Sequence, residues 1–194
     1  MMVQDSELPP YLTPEQVDGV IAAARNSRDR LLIRLLFRTG VRISELLGVR
    51  AADIKWKDRL IIIQALKKRR RGNETRRRLV PLDDWSLELL REYVGGRHGV
   101  VFPITRQRAW QIVVAAGDRA GIGCVVDLYK GKPHHLHPHT FRHSFGVHWV
   151  RVHGQQSLRE LQLHMGHSSI ATTAQYLQFS PQELHRQYDE LWDR

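Results

Sequence analysis

The sequence predicts a mainly α-helical domain carrying one small antiparallel β-hairpin, on three observations. Apolar residues recur at helical spacing, as in Val17, Val20, Ile21 and Ala24. Helix-start signals accompany them: Thr13-Pro14-Glu15-Gln16, Ser157-Leu158-Arg159-Glu160 and Ser180-Pro181-Gln182-Glu183 each set a hydroxyl three residues before a Glu or Gln. One stretch differs, "LIIIQALKKRRRGNETRRRLVPL" from Leu60, which is β-branched at its start, breaks at Gly72-Asn73 and stops at Pro81.

Taken in order, residues 1–10 are polar, end in Pro-Pro and predict a flexible N-terminal arm; residues 11–194 predict one domain. Thr13 caps the first helix, with Pro14 at its first position and Leu12 and Val17 placed to form a hydrophobic staple. After a break at Asn26-Ser27, "DRLLIRLLFRTG" is apolar almost all round, so it belongs in the core. Thr39-Gly40 ends it. "VRISELLGV" restarts the helical period, with Ile43, Leu46 and Leu47 inward and Arg42 and Glu45 on another face. Beyond the hairpin, Asp83 or Asp84 caps a helix reaching Tyr93, and Thr105 caps one reaching Gly121 with Ala109, Ile112, Val113 and Ala116 inside. "IGCVVDLYKGKPHH" predicts a loop or short extended connection. Pro138 opens a helix that Gly154 closes, the helix after Ser157 ends at Gly166, and a last helix repeats Leu184, Tyr188 and Leu191.

Composition narrows the function. Thirty Lys and Arg against twenty Asp and Glu leave a net charge of +10, which points to a polyanionic partner, with double-stranded DNA foremost. Cys124 is the single cysteine, so no internal disulfide forms and a reducing compartment is expected. The densest apolar run, "LLIRLLF", is short and broken by Arg34, so neither a signal peptide nor a membrane span is predicted. The expected location is cytoplasmic, with the nucleoid.

"HPHTFRHSF", residues 137–145, carries the chemistry. His139 and Arg142 lie three apart on a helix, so their side chains project together as a grip on phosphate requires. A metal site is the competing reading, since His139 and His143 are one turn apart. It lacks the glutamate of H-E-x-x-H and any paired cysteines, so no metal is assigned. Downstream, "MGHSSIATTAQY" stops a helix at Gly166, presents His167 and reaches Tyr176 nine residues later.

Together, "TGVRISELLGVR", the basic hairpin ending in "RLVPL", "HPHTFRHSF" and "MGHSSIATTAQY" resemble the ordered motif set of the tyrosine recombinase (phage integrase) family, from about residue 11 onward. The resemblance implies the DNA breaking-rejoining catalytic domain and site-specific recombination through a 3′-phosphotyrosyl intermediate, serving integration, excision, inversion or resolution. It implies catalytic roles for Arg42, His139, Arg142, His167 and nucleophilic Tyr176, with Glu45 supporting Arg42. The family's catalytic lysine falls on Lys67, with Lys68 next. The resemblance further implies a homo-oligomer on DNA, two protomers per site and four in synapsis, with an accessory directionality factor possible. The family's N-terminal core-binding domain has no counterpart before Tyr11.

Bottom-up chemistry agrees. Phosphodiester exchange needs a nucleophile, charge stabilisation of a pentacoordinate phosphorane and a proton for the leaving 5′ oxygen. Arg42 and Arg142 are permanently charged forks for the non-bridging oxygens. Tyr176 attacks, His139 is the candidate base, His167 donates to phosphate and Lys67 is the candidate acid; no cofactor is needed. His137 and His143 are assigned structural or backbone-contacting roles. Lys68, Arg69, Arg70, Arg71, Arg76, Arg77 and Arg78 form a dense charge run expected to track DNA phosphates. The five tryptophans are scattered and are assigned to core or interface. Two rival readings are a type IB topoisomerase-like relaxing activity and a catalytically silent DNA-binding module.

Overall fold

The structure, a computed structural model, describes residues 8–65, 77–127, 131–178 and 188–189. Its helices are α1 (Pro14–Ala22), α2 (Ser27–Thr39), α3 (Ile43–Leu47), α4 (Asp84–Val94), α5 (Arg106–Arg119), α6 (Pro138–His153), α7 (Leu158–Met165) and α8 (Ala171–Ala174). Its strands are β1 (Ile54–Lys55), β2 (Leu60–Gln64), β3 (Arg77–Pro81), β4 (Cys124–Val126) and β5 (Pro133–His135). The fold is mainly helical with small antiparallel sheets.

Helix α2 is the axis. Leu31, Leu32, Ile33, Leu35, Leu36 and Phe37 are all buried, and α1, α4 and α6 pack around them. Arg34 sits in the same helix at 1% exposure. A charge so placed must be paired. Its Nε donates to Ser86 Oγ at 2.9 Å, its Nη2 donates to Asp83 Oδ1 at 2.7 Å, and its guanidinium lies 3.8 Å from the Trp85 ring centroid. Asp83 also caps α4 by accepting from the Ser86 amide, so one carboxylate starts α4 and docks it on α2. Burial pushes the Asp83 pKa up, but Ser86 and Arg34 outweigh that and hold it below the ordinary value. Trp85 is an exposed lid over Arg34.

The predicted hairpin is a three-stranded antiparallel sheet in the order β1-β2-β3, with Ile54 opposite Ile61 and Ile61 opposite Val80. The turn at Gly72-Asn73 lies outside the described residues, as do Lys67, Lys68, Arg69, Arg70, Arg71 and Arg76. The region read as a loop after Gly121 contains the β4–β5 ladder, pairing Cys124 with His135 and Val126 with Pro133. Leu8 is buried in the core, so packing begins inside the stretch assigned to the arm. Thr13, Asn26, Asp83 and Thr105 cap their helices with side-chain oxygens. Ser157 does not: its φ/ψ of −84°/4° is not extended, and its hydroxyl instead donates to Gly154 O and accepts from Trp149 Nε1. The third capping signal, at Ser180, falls outside the described residues.

Gly40 ends α2 at φ +60°, and a Cβ there would lie 2.3 Å from Phe145 Cδ1 of α6. A Gly40→Ala change therefore adds a left-handed backbone cost to a clash and should destabilise the protein by about 2–4 kcal/mol. Gly96→Ala, at φ +78° with nothing within 4 Å, should cost only the backbone share, about 1 kcal/mol. Urea unfolding of both variants measures the difference; equal midpoints would rule out the α2–α6 contact as its cause.

Candidate active site

The site begins where α2 ends. Gly40 turns the chain, Val41 returns to the core, and Arg42 becomes the N-cap of α3. Glu45, in the first turn of α3, accepts from the Arg42 amide at 3.0 Å and from Arg42 Nη1 at 3.1 Å. Glu45 is 3% exposed while the Arg42 side chain is 39% exposed, so the acid anchors an arginine whose remaining donors face outward. Its stronger partner comes from the sheet. Arg78 of β3 donates Nη2 to Glu45 Oε2 at 2.7 Å and Nη1 to Oε1 at 3.2 Å. Burial alone would raise the Glu45 pKa; the Arg78 hydrogen bond and charge, then Arg42, hold it below the ordinary carboxylate value.

Arg142, on α6, is 3% exposed. Its Nη1 donates to Gly40 O at 2.6 Å and its Nη2 to Met165 O at 2.8 Å, so the ends of α2 and α7 supply the acceptors. Helix C-termini present unused carbonyls carrying partial negative charge, which suits a buried cation. The carbonyls one residue earlier are used too. His164 Nε2–H donates to Thr39 O at 2.8 Å, and His164 O accepts Arg78 Nε at 2.8 Å. Four consecutive-pair carbonyls thus tie α2, α6, α7 and β3 around the arginines. Burial and the neighbouring Arg42 charge lower the Arg142 pKa to about 10, which leaves it charged at neutral pH.

Tyr176 lies in a 3-10 turn, Gln175–Leu177, directly after α8, and is 2% exposed. Its ring packs flat on Gly146 of α6: a Cβ there would sit 2.6 Å from Tyr176 Cε2. The hydroxyl is 3.0 Å from His143 Nδ1. Burial raises the Tyr176 pKa to about 12, against the pull of Arg142. Burial, then His139 and Arg142, lowers that of His143 to about 3. At neutral pH the phenol therefore holds its proton and the imidazole is neutral, and in the Nε2–H tautomer of His143 the Tyr176 O–H donates to Nδ1.

Two more imidazoles flank the pair. His167, after the left-handed C-cap Gly166, contacts Thr173 Oγ1 through Nδ1 at 2.8 Å, and its ring centroid is 6.4 Å from that of Tyr176. Burial and then Arg142 lower its pKa to about 4. His139 is exposed at the start of α6, with its centroid 6.2 Å from His143 and its pKa lowered by desolvation and then Arg142. The structure thus gathers Arg42, Glu45, His139, Arg142, His167 and Tyr176 around one place. Lys67 lies outside the described residues.

Three residues stand differently from the sequence expectation. Arg78, assigned to DNA phosphates, has a side chain only 14% exposed and is committed to Glu45; Arg77 is exposed. The strand's two-residue period carried that signal, because Arg78 shares its face with buried Val80. His143, assigned a structural role, is the hydroxyl's partner, with its ring centroid 6.0 Å from that of Tyr176 and 6.2 Å from that of His139, the residue assigned as base. His164 was not singled out, although it follows buried Leu161 at helical spacing.

Among the described residues no group of three or more His, Cys, Asp or Glu is arranged to hold a metal ion, and no helix is long and apolar enough to cross a membrane. The chain matches the Phage integrase family over residues 10–183. It is 31% identical over 211 residues to the tyrosine recombinase XerD of Bifidobacterium longum (strain NCC 2705), covering 94% of this chain and 62% of that protein. It is 30% identical over 200 residues to the tyrosine recombinase XerC of Myxococcus xanthus, covering 96% and 64%. The chain therefore spans less than two thirds of the length of these relatives. A crystal structure of XerA recombinase superposes with a TM-score of 0.75 at 23% identity, covering 97% of this chain and 66% of that one. The XerH site-specific recombinase bound to difH substrate in a pre-cleavage complex gives 0.71 at 21%, covering 100% and 56%.

The Glu45 knot makes a pH prediction. A depressed folded-state pKa contributes stability that is complete above the unfolded value, near 4.5, and is lost as pH falls through the folded one. Glu45→Gln should destabilise the protein by about 2–3 kcal/mol at pH 7, discounted for the partial exposure of Arg42, and flatten the acid limb of the stability profile. Urea titrations from about pH 3 to 7 measure this; parallel profiles for the two proteins would show that Glu45 carries no such linkage.

Proposed function

The chain belongs to the phage integrase family, and from that premise we propose that it is a site-specific DNA recombinase that cuts and rejoins strands through a 3′-phosphotyrosyl intermediate on Tyr176. The observation that carries the reading is the convergence of Tyr176, from the far end of the chain, on the pocket of Arg142 and Arg42, whose charges both reach its hydroxyl.

The chemistry runs from the residues. A scissile phosphate enters where Arg42 offers exposed donors and Arg142 is held rigid by two carbonyls. Both guanidiniums stabilise the extra negative charge of the phosphorane without reorganising, which is the largest catalytic contribution such a site makes. With the Thr173 hydroxyl donating to His167 Nδ1, His167 keeps its proton on Nε2 and donates to a non-bridging oxygen. His139, exposed beside them, contacts the same phosphate. The Tyr176 oxygen attacks phosphorus as its O–H bond breaks and the proton passes to a neighbouring imidazole, the bond to the 5′ oxygen breaks, and that oxygen takes a proton from Lys67, the residue the family motif puts forward as acid. The phosphotyrosyl bond keeps the energy of the broken linkage, and a 5′ hydroxyl from another strand reverses the step. Two protomers on each duplex site and four in synapsis are the assembly this reaction implies.

The arginine pair supplies the cationic charge, so cleavage should proceed in EDTA. Incubated with labelled nicked duplexes tiled from the DNA flanking its own coding sequence, the protein should form a covalent adduct on a denaturing gel. Tyr176→Phe should form none, and Arg42→Lys or Arg142→Lys should slow adduct formation by about 10²–10³. An adduct that survives Tyr176→Phe would refute the assignment, and relaxation of any supercoiled plasmid would favour a topoisomerase. Binding through the basic hairpin, Arg77 included, should weaken steeply with salt, by about 10³ or more between 50 and 200 mM if six or more phosphates are neutralised.

A further inference from the structure

Resting on the function proposed above, we propose that His143 is the catalytic base that takes the proton from Tyr176. The hydroxyl lies 3.0 Å from His143 Nδ1, within the reach over which a proton is transferred directly, and the Nε2–H tautomer leaves that nitrogen free to accept it. The pairing is imposed by packing. The tyrosine ring lies against Gly146, three residues along α6 from His143, where any Cβ would strike it, so this glycine sets the depth to which the ring enters. The imidazole nitrogen at the Tyr176 hydroxyl belongs to His143, whose ring centroid is 6.0 Å from that of Tyr176 and 6.2 Å from that of His139, the alternative base.

The groups facing His143 explain how it would be switched on. His139, Arg142 and His137 on or next to its own helix and His167 after α7 all disfavour its protonated form, while the Tyr176 ring covers it. Without DNA it is a neutral acceptor, and the phenol keeps its proton. A phosphate seated between Arg42 and Arg142 brings negative charge that offsets those cations, so imidazolium becomes stable as the phosphorane forms. The step balances: the Tyr176 O–H bond breaks with its proton going to His143 Nδ1, the O–P bond forms, the P–O5′ bond breaks, and the 5′ oxygen takes its proton from the acid.

The test uses single-turnover cleavage of a duplex whose bridging 5′ oxygen is sulfur. Thiolate leaves without a proton, so loss of an acid is silent and loss of a base is not. His143→Phe keeps a ring beside Tyr176 and removes the acceptor. It should bind DNA as wild type does, cleave about 10²–10⁴ slower near pH 7, and gain about tenfold per pH unit as hydroxide replaces the lost base. Wild type should show a shallower profile. A variant that cleaves at the wild-type rate with the wild-type profile, or faster because Tyr176 is released, would overturn the inference. If His143→Phe does not fold, His143→Ala with added imidazole decides: recovered cleavage supports the base and no recovery overturns it. Failure of wild type to form any adduct removes the proposed function and this inference together; failure of His143→Phe to differ removes the inference alone.

Discussion

The guanidinium of Arg142, held by Gly40 O and Met165 O, is the interaction on which the rest of the site depends. A buried cation is tolerated only where acceptors meet it, and the acceptors here are backbone atoms at the ends of two helices. That choice couples the Arg142 guanidinium to the fold. Gly40 must be left-handed for α2 to stop there and present its carbonyl, and Phe145, three residues from Arg142 on α6, occupies the space a side chain would take. His164 adds a second tie between α7 and α2 at Thr39 O, one residue from the first. Carbonyls cannot bind phosphate, so two acceptors fix the arginine without competing with substrate.

Among the described residues, the same region is short of negative charge. Arg42, Arg78 and Arg142 face one buried acid, Glu45, and the imidazoles of His139, His143 and His167 are all driven toward their neutral forms. The free protein thus holds an unbalanced cationic pocket whose natural complement is an anion. Tyr176 remains protonated, with a pKa near 12, because burial outweighs the arginines. In the proposed reaction, a bound phosphate would offset the charge of the arginines, let an imidazole accept a proton and so permit the phenol to react. These electrostatics would keep the Tyr176 phenol unreactive until a phosphate is bound.

Helices were legible because their signals are local. Thr13, Asp83 and Thr105 cap where a hydroxyl or carboxylate precedes a periodic run, and α2, apolar all round, is the buried axis. The motif residues were legible through their order and spacing along the chain. What was missed depends on contacts between distant segments. Strand β1 has two residues and exists only through pairing with β2, and β4–β5 is likewise too short for a periodic signal. Arg78 reads as one more cation in a basic run until β3 turns it toward Glu45. His143 reads as a neighbour of Arg142 until α8 and its following turn deliver Tyr176 onto it.

The central claim is that Tyr176 becomes linked to the 3′ phosphate of a cut strand. The most direct measurement is mass spectrometry of the trapped adduct after trypsin and nuclease digestion, with end analysis of the released DNA. One modified peptide is expected, containing Tyr176 esterified to a nucleotide 3′-phosphate, with a free 5′ hydroxyl on the released strand. A linkage on another residue, or through a 5′ phosphate, would contradict it.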